Sequence, residues 1–542
     1  MRLRKATIAI AFHSALSVIT TWPLALHWRT RLPLGSESAL TVPQFNLWTL
    51  QFNADRIGHF YRDYFDAPIF WPDHGTFGRS EIQPLTGALF ALFRPIAGNV
   101  GAYNLCLLAF LCANGLAMTA IACRLGASLV PALLTGALAQ TLAFVFNELG
   151  VLQLIAIFPF LLLFERLIAY RQRPSSLRLG AAGAWLGVLS LVSGYYALFA
   201  ALALLVAGPI MVVRRNRRPM KLLGDIALAC VLAVVIAAPF TLAQQSETAD
   251  GSWSTKLVTD LSAKTNDWIT HDDNTLNVPW AKERTSGQAL FPGGFLLALA
   301  TTGVVVSQRG NRKTTTAATA TAALMFIVSF GLRIRIGWFA PYAWLRDHAP
   351  GFDRLRSPFR AAALTQVVLV ILSAVAIRWL WDQRTARVIA VCFVVMSVVE
   401  TVHWNQPLGK VSEVTKFDWV VWLKDAEAGP VVMIPFPATG SVNDYEDTTT
   451  SMLAGLEHGH PLLNGYTGLF PKDYIKLRSD MLYFPDAFDM ELLANSRVRY
   501  LVMRHDFEKF ESAERFLDLY GWNRSFEGID RDIWVLASTP IA

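Results

Sequence analysis

Long apolar runs separated by short polar turns organise most of this chain. A membrane-spanning helix needs about 20 mostly apolar residues. Runs of that kind lie near 6–27, 103–123, 127–146, 149–169, 178–193, 195–213, 222–243, 290–307, 316–333, 360–381 and 386–403, eleven in all. The stretch 82–98 is also apolar, but Pro84 and Pro95 interrupt it, so it reads as a juxtamembrane or re-entrant helix. MRLRK followed by an apolar run imitates a signal peptide. No small-residue cleavage site follows, and Trp22, Pro23 and Trp28 mark an interfacial end, so a retained first span is expected. Beyond residue 403 the pattern changes. The runs VVMIPFP (431–437), RVRYLVMRH (497–505) and DIWVLAST (532–539) read as strands, with helix-like stretches at 470–482 and 486–495. The expected fold is mainly α. A polytopic transmembrane bundle over 1–403, with outer loops 28–81 and 244–289, precedes a small extracytoplasmic α/β domain over 404–542.

Composition agrees with that reading. The chain is 53% hydrophobic and 16% charged, against roughly a quarter charged in soluble proteins. The net charge of +7 would suggest nucleic acid only if the basic residues shared one face. They fall instead in the turns expected inside: Arg2, Arg4 and Lys5; Arg124; Arg166, Arg171, Arg173 and Arg178; RRNRRPMK at 214–221; Arg309, Arg312 and Lys313; Arg378, Arg384 and Arg387. That distribution places the N-terminus in the cytoplasm and the long loops and tail outside, provided 82–98 does not cross. The five cysteines lie within apolar segments, without metal-ligand spacing. The tail carries no Gly-rich phosphate loop and no nucleophile elbow.

The outer loops hold the candidate chemistry. Glu37, Asp55, Asp63, Asp66, Asp73, His74 and Glu81 are interleaved with Trp48, Tyr61, Tyr64, Phe65 and Trp71. Aromatic faces stack on sugar C–H surfaces, and a carboxylate can take a proton from a hydroxyl, so a sugar site is one reading. Solvated loop acids and an interfacial aromatic belt are the other. On the same side lie Asn147, Glu148, Tyr195 and Tyr196, and Asp267, Trp268, His271, Asp272, Asp273, Trp280, Glu283 and Arg284 from the second loop. Arg354, Arg356 and Arg360 stand where a span is entered from outside. Arginine can grip a phosphate through two parallel hydrogen bonds; snorkelling to the interface is the alternative.

Several segments resemble a family of bacterial membrane proteins related to the C-superfamily glycosyltransferases, which use polyprenyl-phosphate sugars. They are PQFNLW (43–48), FDAPIFWPDHGT (65–76) with Ser80 and Glu81, AYNL (102–105), LQLIAIFPFLLL (152–163), PGFDRLRSPFR (350–360), VVMIPFP (431–437) and PLLNGYTGLFPKDY (461–474). The resemblance implies an outward-facing cavity in the bacterial inner membrane and transfer of a sugar from a lipid-phosphate carrier to a glycan, lipid or protein acceptor. Two positions depart from the family pattern. Val42 stands where an acid precedes the proline, and Val151 where a histidine precedes the Leu-Gln pair. Asp66 and Glu81, which match the pattern, rank first as general base, with Asp63 next. Arg356 and Arg360 are expected to hold the lipid phosphate, and Glu148, Tyr195, Tyr196 and Trp71 to line the substrate. No organic cofactor and no nucleic-acid partner is expected; a divalent cation is left open. A scaffold that binds or translocates lipid-linked glycan without transferring it is the alternative function. NGYTG (464–468), with Asn443, Asp444 and Tyr445, is either a glycan-contacting surface or a set of ordinary turns. The tail is expected to cap the outer cavity.

Overall fold

The computed structural model describes residues 3–213, 218–247, 253–273, 275, 281–284, 287–307, 311–403 and 405–536; Arg2, Arg309, Trp280 and residues 214–217 of the basic run lie outside them. All eleven apolar runs carry helix. Five helical segments among the described residues are long and apolar enough to cross a membrane: Pro84–Arg124, Leu152–Gln172, Gly194–Val212, Pro219–Gln244 and Pro358–Asp382. The protein is a multi-pass membrane protein. The stretch 82–98 is helical from Pro84, and Gly98, at φ 72° and ψ 179°, is non-helical and divides it from the helix that follows to Arg124; only glycine adopts that conformation without strain. The run 127–146 is broken at Thr141 and Leu142 into Leu129–Gln140 and Ala143–Asn147. The run 149–169 is broken likewise, into Leu152–Ile155 and Phe158–Gln172. These breaks leave irregular backbone around residues 141–157, between two long helices.

Small residues set the helix spacing. A Cβ on Gly183 would lie 1.9 Å from the Ala229 carbonyl oxygen, and one on Gly303 would lie 2.0 Å from that of Leu372. Backbones this close are how helices pack without a hydrophobic drive between them. His13 is buried with both ring nitrogens used, 2.8 Å from Gln140 Oε1 and 2.9 Å from Thr119 Oγ1. It is a packing residue.

The tail forms a four-stranded sheet in the order Val431–Ile434, Tyr500–Arg504, Arg531–Leu536, Trp522–Glu527; the first pair is parallel and the others antiparallel. Trp522–Glu527 was not expected from its polar sequence. It is an edge strand with mostly exposed positions.

The tail sits on the first loop. Trp71 N donates to Leu462 O at 2.9 Å and Leu462 N to Pro68 O at 3.0 Å, while Thr41 Oγ1 donates to Val442 O at 2.7 Å. The strand Arg31–Pro33 pairs antiparallel with Leu408–Lys410 at the root of the tail. Residues 464–468 are a buried join. Asn464 brackets the first strand of the sheet, accepting from Met433 N at 2.7 Å and donating to Met433 O at 3.0 Å.

Candidate functional site

The segment 79–83 is pinned from three directions. Gln244 Nε2 donates to Gly78 O and Ser80 O at 2.9 and 2.7 Å; Leu469 N donates to Arg79 O at 2.9 Å; Asn53 Nδ2 donates to Ile82 O at 2.7 Å. Gln83 closes the segment in the left-handed region, at φ 48°, a conformation that surrounding contacts must enforce on a non-glycine residue. This fixes Glu81. Its Oε1 accepts from Ser193 Oγ at 3.1 Å and Tyr195 N at 3.4 Å, while its Oε2 is buried with no hydrogen-bond partner among the described residues.

Facing it is the segment 350–360. Arg356 N donates to the Tyr195 hydroxyl at 3.1 Å, and Arg356 Nη1 donates to Gly468 O of the tail at 3.3 Å. The Arg356 guanidinium lies over the Trp253 ring at 5.2 Å, and that of Arg360 over Tyr195 at 4.6 Å. Arg360 makes no ion pair among the described residues, and its Nε is buried without a partner. Glu81 and Glu148 both lie within its electrostatic reach. An unpaired guanidinium at this depth is costly unless an anion joins it.

Two more carboxylates approach because glycines allow the first loop to touch the turn after Ala143–Asn147. Ser36 N donates to Asn147 O at 2.7 Å, Gly35 has φ 60°, and a Cβ on Gly150 would lie 2.5 Å from Leu34 O. That contact sets Glu37 beside Glu148. Burial pushes the Glu148 carboxyl up to about 7; Arg360 opposes the shift and Glu37 adds to it. Burial likewise raises Glu37, against the pull of Arg360, Arg356 and Arg284. Glu37, Glu81, Glu148, Arg356 and Arg360 are each only partly buried and keep some accessible surface. Tyr196 is fully buried, its hydroxyl donating to Leu154 O at 2.7 Å.

Of the residues expected from sequence, Glu81, Glu148, Tyr195, Tyr196, Arg356 and Arg360 converge. Asp66, Asp63 and Trp71 are placed elsewhere. Asp66 Oδ1 accepts from Gly75 N at 2.8 Å and lies 3.4 Å from His74 Nδ1, holding an exposed turn. Asp63 is exposed at φ 48°, its carbonyl accepting from Asp66 N. Trp71 Nε1 donates to Ser496 O at 3.1 Å and so anchors the tail. The second loop contributes a neighbouring cluster. His403 Nε2 lies 3.7 Å from Asp272 Oδ1 and 3.2 Å from Asn147 Oδ1, and Arg284 lies 3.4 Å from Asp272. Among the described residues no group of three or more His, Cys, Asp or Glu is placed to hold a metal ion. Sequence reasoning missed Gln83 and Gln153, and placed Tyr466 in a stretch read as either a glycan-contacting surface or ordinary turns. Tyr466 is buried against Phe45 at a ring distance of 5.2 Å, within electrostatic reach of Arg356 and Glu37. The signal lay in their positions, within or beside the matched segments.

The multi-span helical bundle with its acidic first loop shares its fold with two solved structures. The chain is similar to the arabinofuranosyltransferase AftD from mycobacteria, with a TM-score of 0.62 at 12% identity, 100% of this chain matching 42% of that one. It is similar to the Archaeoglobus fulgidus oligosaccharyltransferase in its apo form, with a TM-score of 0.53 at 12% identity, over 99% of this chain and 74% of the other. It thus spans less than half the length of AftD, and at these identities the likeness is one of fold. The chain belongs to the family described as a domain of unknown function, DUF6311, whose model matches residues 67–401. No curated protein matches it.

Proposed function

We propose that this protein transfers a sugar from a lipid-phosphate carrier to an acceptor on the outer side of the bacterial inner membrane. The observation that carries this reading is Arg360, a deep guanidinium without an ion pair among the described residues, with Glu81 and Glu148 within its electrostatic reach. In this reading Arg360 and Arg356 hold the lipid phosphate. Glu81, oriented by Ser193 and Tyr195 N, takes the proton of an acceptor hydroxyl through the unpartnered Oε2. The acceptor oxygen bonds to the anomeric carbon as the carbon–oxygen bond to the phosphate breaks. The phosphate leaves with the electron pair, held by the arginines, and the anomeric configuration inverts. Eleven spans, a cytoplasmic N-terminus and an external tail complete the proposal, supported by the Lys/Arg distribution.

The test uses full-length protein in lipid nanodiscs with undecaprenyl-phosphoryl sugars and an acceptor pool. Glu81→Gln should abolish transfer yet retain lipid binding, and Arg360→Gln should lose binding. Transfer by Glu81→Gln at the wild-type rate would exclude Glu81 as base. Val42 and Val151, where the family pattern is polar, favour the second reading, a protein that binds lipid-linked glycan without transferring it. Tight binding with no transfer to any acceptor by the wild type would select that reading.

A further inference from the structure

Three amides from three separate segments meet beside Glu81. Gln83 Nε2 donates to Asn46 Oδ1 at 2.7 Å and to Gln153 Oε1 at 3.3 Å, while Asn46 Nδ2 donates to Val42 O at 3.0 Å. All three residues are at least nine-tenths buried. The donors of Gln83 are spent, yet its Oε1 is buried with no hydrogen-bond partner among the described residues. Gln83 stands two residues from Glu81, whose Oε2 is unpartnered in the same way.

Contacts close these residues into a ring. Glu81 is held by Tyr195 N; the next residue, Tyr196, donates to Leu154 O; Leu154 adjoins Gln153; and Gln153 accepts from Gln83. Gln83 and Glu81 therefore belong to one connected network of contacts. Buried acceptors are almost always matched by donors. Two unmatched ones in one pinned segment point to a ligand rich in hydroxyl donors. Their chemistry differs: a carboxylate can remove a proton, whereas an amide oxygen accepts a hydrogen bond without taking the proton.

We propose that Gln83, with Gln153 and Asn46, is the specificity-determining wall of the site. Gln83 Oε1 accepts a hydrogen bond from a hydroxyl of the sugar being transferred. The class selected is a neutral sugar, since two acceptor oxygens repel the carboxylate of an acidic one. The inference rests on the glycosyltransferase-like reading above.

The experiment measures binding to full-length protein in nanodiscs of three probes: undecaprenyl phosphate, undecaprenyl-phosphoryl mannose and undecaprenyl-phosphoryl galacturonate. The wild type should bind the mannose lipid at least about tenfold more tightly than the bare phosphate, and the galacturonate lipid more weakly than the mannose lipid. Gln83→Met should lose about tenfold on the mannose lipid and nothing on the bare phosphate. If Gln83→Met does not fold, Gln153→Met reads the same selective loss. Equal binding of all three probes by the wild type, or an equal loss on mannose lipid and bare phosphate in either variant, overturns the inference and leaves the glycosyltransferase-like reading standing. Failure of wild type to bind undecaprenyl phosphate in any form removes both.

Discussion

Glu148→Gln is the perturbation with the clearest magnitude. Burial raises this carboxyl from an ordinary 4.5 to about 7, a difference worth about 3 kcal/mol at about 1.4 kcal/mol for each pH unit. Below pH 4.5 the group is protonated whether the chain is folded or not, and the shift costs nothing. Between about 4.5 and 7 the unfolded chain releases the proton while the folded one keeps it, so stability falls as pH rises. Above about 7 the full penalty of a buried carboxylate is present. Glutamine is neutral throughout. Glu148→Gln should therefore be more stable than wild type by about 3 kcal/mol near pH 8, with the difference vanishing near pH 4.5. Tryptophan-fluorescence melting of both proteins across that range reads the difference directly. A lipid phosphate beside Glu148 would favour its protonated form further, so wild-type binding should strengthen toward acid pH and flatten in the variant. A stability difference that stays constant from pH 4.5 to 8 would refute the burial of this group as argued.

Arg360→Leu removes the guanidinium that opposes the rise of the Glu148 and Glu37 carboxyls; melting should show a loss of stability that is larger near pH 8 than near pH 5, while a flotation assay shows no retention of lipid phosphate. Asn464→Leu leaves Met433 N and O without their bracket; it should destabilise the tail by about 2–4 kcal/mol, read as earlier proteolysis of residues beyond 404. Gly183→Leu drives a side chain into the Ala229 carbonyl; monodisperse protein should be lost on size exclusion, and a normal elution profile would show that the helices separate at little cost.

The helices were legible because apolar residues fill them on every side, a signal that needs no knowledge of neighbours. Their interruptions were less so. Gly98, and neither of the prolines, divides 84–97 from the next helix, and the break at Thr141 and Leu142 falls within 137–149, where no Pro or Gly announces it. The edge strand Trp522–Glu527 was hidden because its side chains face solvent and carry no alternation. Among the site residues, Arg356, Arg360, Tyr195, Tyr196, Glu148 and Glu81 could be grouped by topology alone. Asp66 could not be told from Glu81, since an acid that accepts from the Gly75 N–H and one with an unpartnered oxygen look alike in sequence. Glu37 depends on the close approach made by Gly35 and Gly150, which is a property of two segments more than a hundred residues apart.

The pairing of Arg31–Pro33 with Leu408–Lys410 also sets a schedule. Pro33 and Leu408 lie 375 residues apart, a length that at about 5–20 residues per second takes about 20–75 s to synthesise. For that interval the first strand has no partner strand. Asn104, which donates to Trp28 O and Arg31 O at 2.8 Å, emerges some seventy residues after it and can hold the segment while the bundle is made. The join between loop and tail therefore cannot close until the bundle has been made, and a chain stopped before residue 408 keeps an open strand edge where the finished one has a closed seam.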